Sequence, residues 1–214
     1  MGRYVAIAVY ALGLLATSAA WGAYVEYQGP SGNLSSASNW YVITDSSDPT
    51  SRTGETRLPV IGGTLTSWDS GDDAILRNGT TTTLNVSMGA GRWSIGGPLI
   101  TGQPTGSLTT VYVPSGSTLS MRGDDPYNPR RIEIGGPYPG TLTVNGGNLY
   151  LNPCRGGGLF VGTAGGATGT MNLSGGTVQM EVAGAGSDEM TLGEDGGNGV
   201  INQSGGLLSF AKVM

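Results

Sequence analysis

Three stretches of this chain carry one pattern: Gly140-Thr-Leu-Thr-Val-Asn-Gly-Gly-Asn-Leu-Tyr-Leu151, Gly169-Thr-Met-Asn-Leu-Ser-Gly-Gly-Thr-Val-Gln-Met180 and Gly199-Val-Ile-Asn-Gln-Ser-Gly-Gly-Leu-Leu-Ser-Phe210. The second glycine of each doublet falls at Gly147, Gly176 and Gly206, spacings of 29 and 30 residues. A looser copy, Pro114-Ser-Gly-Ser-Thr-Leu-Ser-Met121, places Gly116 another 31 residues upstream. A period near 30, built from two short alternating strands about a glycine turn, is the signature of stacked coils in which each repeat buries its apolar face against its neighbours. A third element precedes each copy, since Trp93-Ser-Ile-Gly96, Arg131-Ile-Glu-Ile-Gly135, Leu159-Phe-Val-Gly162 and Met190-Thr-Leu-Gly193 all set an apolar residue before glycine. The expected fold is therefore all-β: a parallel β-helix, or β-solenoid, of about four to five three-strand coils with an irregular N-terminal cap.

Glycine and proline together make up 51 of 214 residues, about 24 %, a share that without periodicity would sit near the disordered range; the repeat argues for order instead. Residues two apart in a strand share a face. Stacking therefore aligns Leu142 with Met171 and Ile201, Val144 with Leu173 and Gln203, Leu149 with Val178 and Leu208, and Leu151 with Met180 and Phe210. Thr143, Asn172, Gln179 and Asn202 face water. Gln203 breaks an apolar column, which implies a frayed end or a local slip of register.

Residues 1–22 read as a signal peptide: Arg3 gives a minimal positive segment, Val5 to Ala16 is an apolar run of twelve residues, and small residues follow. The run is shorter than a membrane-spanning helix requires, so no stable membrane span is expected after cleavage, and the mature chain is expected outside the cell or on a bacterial outer surface. Residues 23–71 are aperiodic and read as the cap that covers the first coil. Residues 72–214 form the repeat domain. It stops four residues after the last strand, so it is expected to continue beyond Met214 or to associate end to end.

The chemistry available is narrow. There is no histidine, which removes the commonest general base and metal ligand. A net charge of -5 with no basic face excludes a nucleic-acid footprint. The single cysteine, Cys154, has no partner for a disulfide. The segment Arg122-Gly-Asp-Asp-Pro-Tyr-Asn-Pro-Arg-Arg131 gathers charge in a chain otherwise poor in it. Arg122, Asp124, Asp125, Tyr127, Arg130 and Arg131 are the candidate binding residues, for an extracellular glycan or a surface protein. No catalytic residue, metal ligand or cofactor is assigned. Oxygen-rich turns such as Gly193-Glu-Asp-Gly-Gly-Asn-Gly199 would suit Ca2+, but the nonapeptide period of calcium-binding solenoids is missing. The rival reading, a β-helix polysaccharide lyase or glycoside hydrolase, requires Arg122, Asp124, Arg131, Glu133 and Arg155 to converge on one face.

The leader, the early Asn39-Trp40, the Asp73-Ala-Ile75 strand and the repeated Ile-Gly and Gly-Thr-Leu-Thr-Val-Asn-Gly-Gly-Asn-Leu units resemble bacterial autotransporter-associated β-strand repeat proteins. They are also similar to exported proteins with a PEP-CTERM sorting tail. The likeness covers about residues 72 to 210 and implies a parallel β-helix displayed at, or released from, a bacterial surface. Neither an outer-membrane barrel nor a sorting tail occurs in these 214 residues, in keeping with the longer protein expected. On this basis the chain reads as a non-enzymatic structural or adhesive module, with a matrix or filament subunit as a further alternative.

Overall fold

In a computed structural model of the chain the described residues are 22–61, 71–77, 79–97, 107–123, 131–153, 157–164, 166–181 and 189–210. Near the N-terminus these comprise β1 (Tyr24–Tyr27), β2 (Gly32–Asn33), β3 (Trp40–Ile43) and β4 (Arg52–Thr56). The next strands come in threes: β5 (Asp73–Leu76), β6 (Thr81–Thr83) and β7 (Met88–Ala90), then β8 (Arg92–Ile95), β9 (Thr109–Pro114) and β10 (Thr118–Gly123). Beyond them, β11 (Arg131–Ile134) leads into β12 (Gly140–Pro153), β13 (Gly158–Val161) into β14 (Thr168–Met180), and β15 (Glu189–Leu192) into β16 (Asn198–Gln203) and β17 (Leu207–Ser209).

Strands of equal rank stack in parallel. The first face has the order β15-β13-β11-β8-β5-β1, and the second has β16-β14-β12-β9-β6-β2. A third face runs from β7 through β10 to the second half of β12, the second half of β14 and β17. The result is a β-solenoid whose regular part, from β11 onward, makes about three turns. Upstream, β1 and β2 continue the parallel faces, whereas β3 and β4 add to the first face in antiparallel sense.

The inward columns follow the sequence alternation. Leu142 pairs with Met171 and Met171 with Ile201; Val144 pairs with Leu173, and Leu149 with Val178. Leu142, Met171, Val144, Leu173, Leu149 and Val178 are fully buried, each contributing about 1.5–3 kcal/mol. Gln203 keeps its register opposite Leu173 and causes no slip. It is exposed, and its amide donates to the Gly206 carbonyl at 3.2 Å, so no buried polar group is orphaned. The corner at the glycine doublet is tighter than a turn between separate strands: β12 and β14 pass through it unbroken, with a bulge between Val144 and Asn148.

Two glycine positions do different work in each regular coil. Gly135, Gly162 and Gly193 close the first strand at φ of +72°, +73° and +75°, the left-handed region that a residue with a Cβ resists. Gly140, Gly169 and Gly199 open the second strand, where a Cβ would lie 2.3, 2.0 and 2.2 Å from the carbonyl oxygens of Ile95, Ile134 and Val161 in the preceding coil.

At the N-terminal end an aromatic series plugs the core. Tyr27 meets Trp40 edge-on at 5.4 Å, and Trp40 meets Trp93 edge-on at 6.1 Å. Each indole finds an acceptor, Leu34 for Trp40 and Ser120 for Trp93, both at 2.8 Å, as a buried Trp requires. On the outer side of the first face Arg77 grips Glu26 with two bonds, Nε to Oε1 at 3.1 Å and Nη2 to Oε2 at 2.8 Å, with both side chains fully buried. The Asp72 carboxylate accepts from the backbone of Ala23 and Val60 and from Arg57, tying residues 57–60 to the start of the stack.

Two outcomes follow for stability. Gly169→Ala is expected to lower unfolding free energy by about 1–3 kcal/mol, because the inserted methyl group must displace backbone; a shift in urea midpoint measures it. Arg77→Met is expected to cost about 3–5 kcal/mol by leaving the Glu26 carboxylate buried without its counter-ion, whereas the Glu26→Leu/Arg77→Met pair recovers most of the loss. A double variant as unstable as the single one would show that the pair is needed for more than charge balance.

Candidate functional site

On the third face, every residue between two core positions points outward. Leu119, Met121, Leu149, Leu151, Val178 and Met180 are buried, so the residues alternating with them form an external grid. Thr118 lies beside Asn148 and Asn148 beside Thr177; Ser120 lies beside Tyr150 and Tyr150 beside Gln179; Arg122 lies beside Asn152. Glu181 extends this last row, accepting from the Asn152 amide at 3.3 Å. Parallel pairing sets the rows about 4.8 Å apart along the rod.

The grid encloses a shallow groove of about 340 Å³ lined by Thr118, Asn148, Leu149, Tyr150, Thr177 and Gln179. Tyr150 provides its aromatic surface, and the amides and hydroxyls provide groups that both donate and accept. A hydrogen bond to the Glu181 carboxylate raises the Tyr150 phenol above its ordinary pKa, with burial acting in the same direction. This is the reverse of the tuning a tyrosine base would need.

A second polar cluster lies on the outer side of the first face. Glu133 accepts from Arg92 Nη2 at 2.7 Å and from the Thr163 hydroxyl at 2.7 Å, and forms an ion pair with Arg131 Nη2 at 3.1 Å. Arg131 also approaches Glu194 at 3.7 Å and lies 5.0 Å above the Phe160 ring. Burial pushes the Glu133 carboxyl up, but the two guanidinium charges and the Thr163 bond outweigh it and hold it below its ordinary value. For Glu26, burial outweighs Arg77 and the carboxyl is raised.

The residues expected from the sequence divide between these places. Arg122 stands at the edge of the third-face grid, and Arg131 belongs to the Glu133 cluster on the first face. Asp124, Asp125, Tyr127 and Arg130 lie outside the described residues, as do Cys154 and Arg155. Of the set that an enzyme would need on one face, Arg131 and Glu133 come together as an ion pair, and Arg122 is on another face. The Glu194-Asp195 pair sits in a short 3-10 turn, with Asp195 at φ +48°. Among the described residues no group of three His, Cys, Asp or Glu is placed to hold a metal, and no helix is long and apolar enough to cross a membrane. Tyr150 and Asn148 were not singled out from the sequence, and Gln179 was read there only as facing water. Their signal was present as the outward alternation of the repeat, but the charge-rich segment beside them is the more conspicuous feature.

The two carboxylates titrate with opposite effect on stability. Glu133 stabilises the fold above the ordinary carboxylate pKa, and that contribution is lost as pH falls through its lower folded value; Glu26 favours the fold most below the ordinary pKa and loses this as pH rises through its raised value. Urea midpoints taken between about pH 3 and 7 are expected to fall less steeply toward acid in Glu133→Gln than in the parent chain. An unchanged acid slope would exclude Glu133 as a source of acid lability.

No family model matches the chain, and neither a curated protein nor a solved structure shows significant similarity to it.

Proposed function

We propose that this protein is a non-enzymatic structural and adhesive module, exported to the bacterial surface or beyond, that acts as a stiff rod displaying binding groups on its outside. The observation that carries this reading is the division of labour in each regular coil. Apolar side chains form continuous inward columns, whereas the outward positions are Thr, Asn, Gln and Ser with few charges. Such a surface is built for display along a length, because each coil advances the same grid by about 4.8 Å. Counting the looser strand groups upstream brings the rod to about four to five three-strand coils under an irregular cap.

Export follows from residues 1–22 read as a cleaved signal peptide, and the resemblance to autotransporter-associated β-strand repeat and PEP-CTERM-type proteins supports a bacterial surface address. The charged segment 122–131 is a second place for binding, next to the third-face grid. The test is fractionation of the producing cell followed by mass determination of the recovered chain. We expect it outside the inner membrane and beginning at about residue 21 or 23, the two small-x-small cleavage points. Recovery of the uncleaved chain from the cytoplasm would overturn the reading.

A further inference from the structure

We propose that the third-face groove is a binding site for a neutral glycan chain, with Tyr150 as the stacking platform and Asn148 and Gln179 as hydroxyl-reading amides. This rests on the reading of the protein as an exported adhesive rod and names the ligand class for a surface distinct from the charged segment 122–131.

The argument starts from what the groove presents. Tyr150 sits between Ser120 and Gln179 in register on the outward side of β12 and lines the groove, so its ring offers an apolar surface to whatever lies there. A pyranose ring has one face of C–H groups and a rim of hydroxyls. The first suits an aromatic surface. The second suits side chains that donate and accept at once, which amides and hydroxyls do and lysine, arginine and carboxylates do not. Thr118, Asn148, Thr177 and Gln179 are all of that kind, and they line one groove.

Other ligand classes fit less well. An extended peptide adds to a sheet through an unpaired edge, but β12, which carries Tyr150, is paired on both sides, to β10 and β14. A nucleic acid or a polyanion needs concentrated positive charge, and the groove lining contains none. A lipid needs an apolar trough, and this lining is predominantly hydroxyl and amide. The groove is also open along the rod, so a linear chain can lie across successive coils without its ends being enclosed.

The experiment is saturation-transfer NMR and calorimetry on the purified full chain. The probes are neutral oligosaccharides of several linkages (cello-, xylo-, manno- and chito-oligosaccharides), with oligogalacturonate as the acidic comparison. We expect at least one neutral series to bind, with Tyr150→Ala and Gln179→Ala each weakening it by about tenfold. Tyr150→Phe should keep most of the affinity, because the platform survives. Tyr112→Ala on the second face should change nothing. Circular dichroism melts verify that each variant is folded, and Tyr150→Phe together with Gln179→Ala keeps the test decisive if Tyr150→Ala does not fold. Three results would overturn the proposal: binding by no neutral series, binding indifferent to Tyr150 and Gln179, or preference for oligogalacturonate abolished by Arg122→Ala. None of them touches export or rod architecture, which stand or fall on the recovered chain's location and N-terminus.

Discussion

The parallel hydrogen bonds between coils hold neighbouring backbones about 4.8 Å apart, and everything else in the molecule has to accommodate that distance. At the start of each second strand the chain passes so close to the coil behind it that the carbonyl oxygens of Ile95, Ile134 and Val161 occupy the space a side chain would take. Glycine at 140, 169 and 199 is the solution to a packing problem, whereas glycine at 135, 162 and 193 solves a conformational one. Once both are met, the columns of Leu, Met, Val and Ile fall into line with no further instruction.

That is why the regular part of the solenoid was legible in the sequence. A stack in which residue i meets residue i+29 or i+30 writes its contacts as a periodicity, and Leu142, Met171 and Ile201 can be aligned by eye. The same reading saw Gln203 as a fault in an apolar column but not how the last coil absorbs it, because exposure depends on what lies on the far side and alternation does not report that. The N-terminal part was less legible for a related reason. Glu26 and Arg77 are 51 residues apart, in segments with no repeat between them, and nothing in either stretch marks one as the other's counter-ion. The Asp72 carboxylate is a four-donor clamp whose partners Ala23, Arg57 and Val60 no periodicity could connect.

The electrostatics of the two faces differ in kind. On the first face charges are withdrawn from solvent and matched one against another, so Glu26 and Glu133 are shifted in opposite directions by the balance of burial against neighbouring guanidinium groups. On the third face almost nothing is charged, and recognition falls to groups that do not titrate at physiological pH. The charge-rich segment 122–131 joins these two regimes, since its first residue stands on the third face and its last on the first. A search of the sequence for charge finds that junction more readily than the uncharged grid beside it.

Residue-for-residue register also decides where such a chain is able to change length. A single insertion inside β12 or β14 would turn every following side chain to the wrong face. The passage from the third strand of one coil to the first strand of the next is under no such constraint. It is Gly91 alone between β7 and β8 and residues 124–130 between β10 and β11, and the passage from first strand to second likewise goes from residues 77–80 between β5 and β6 to residues 96–108 between β8 and β9. An insertion at either corner leaves the register of every strand intact, so the coils tolerate added length there and not within the faces.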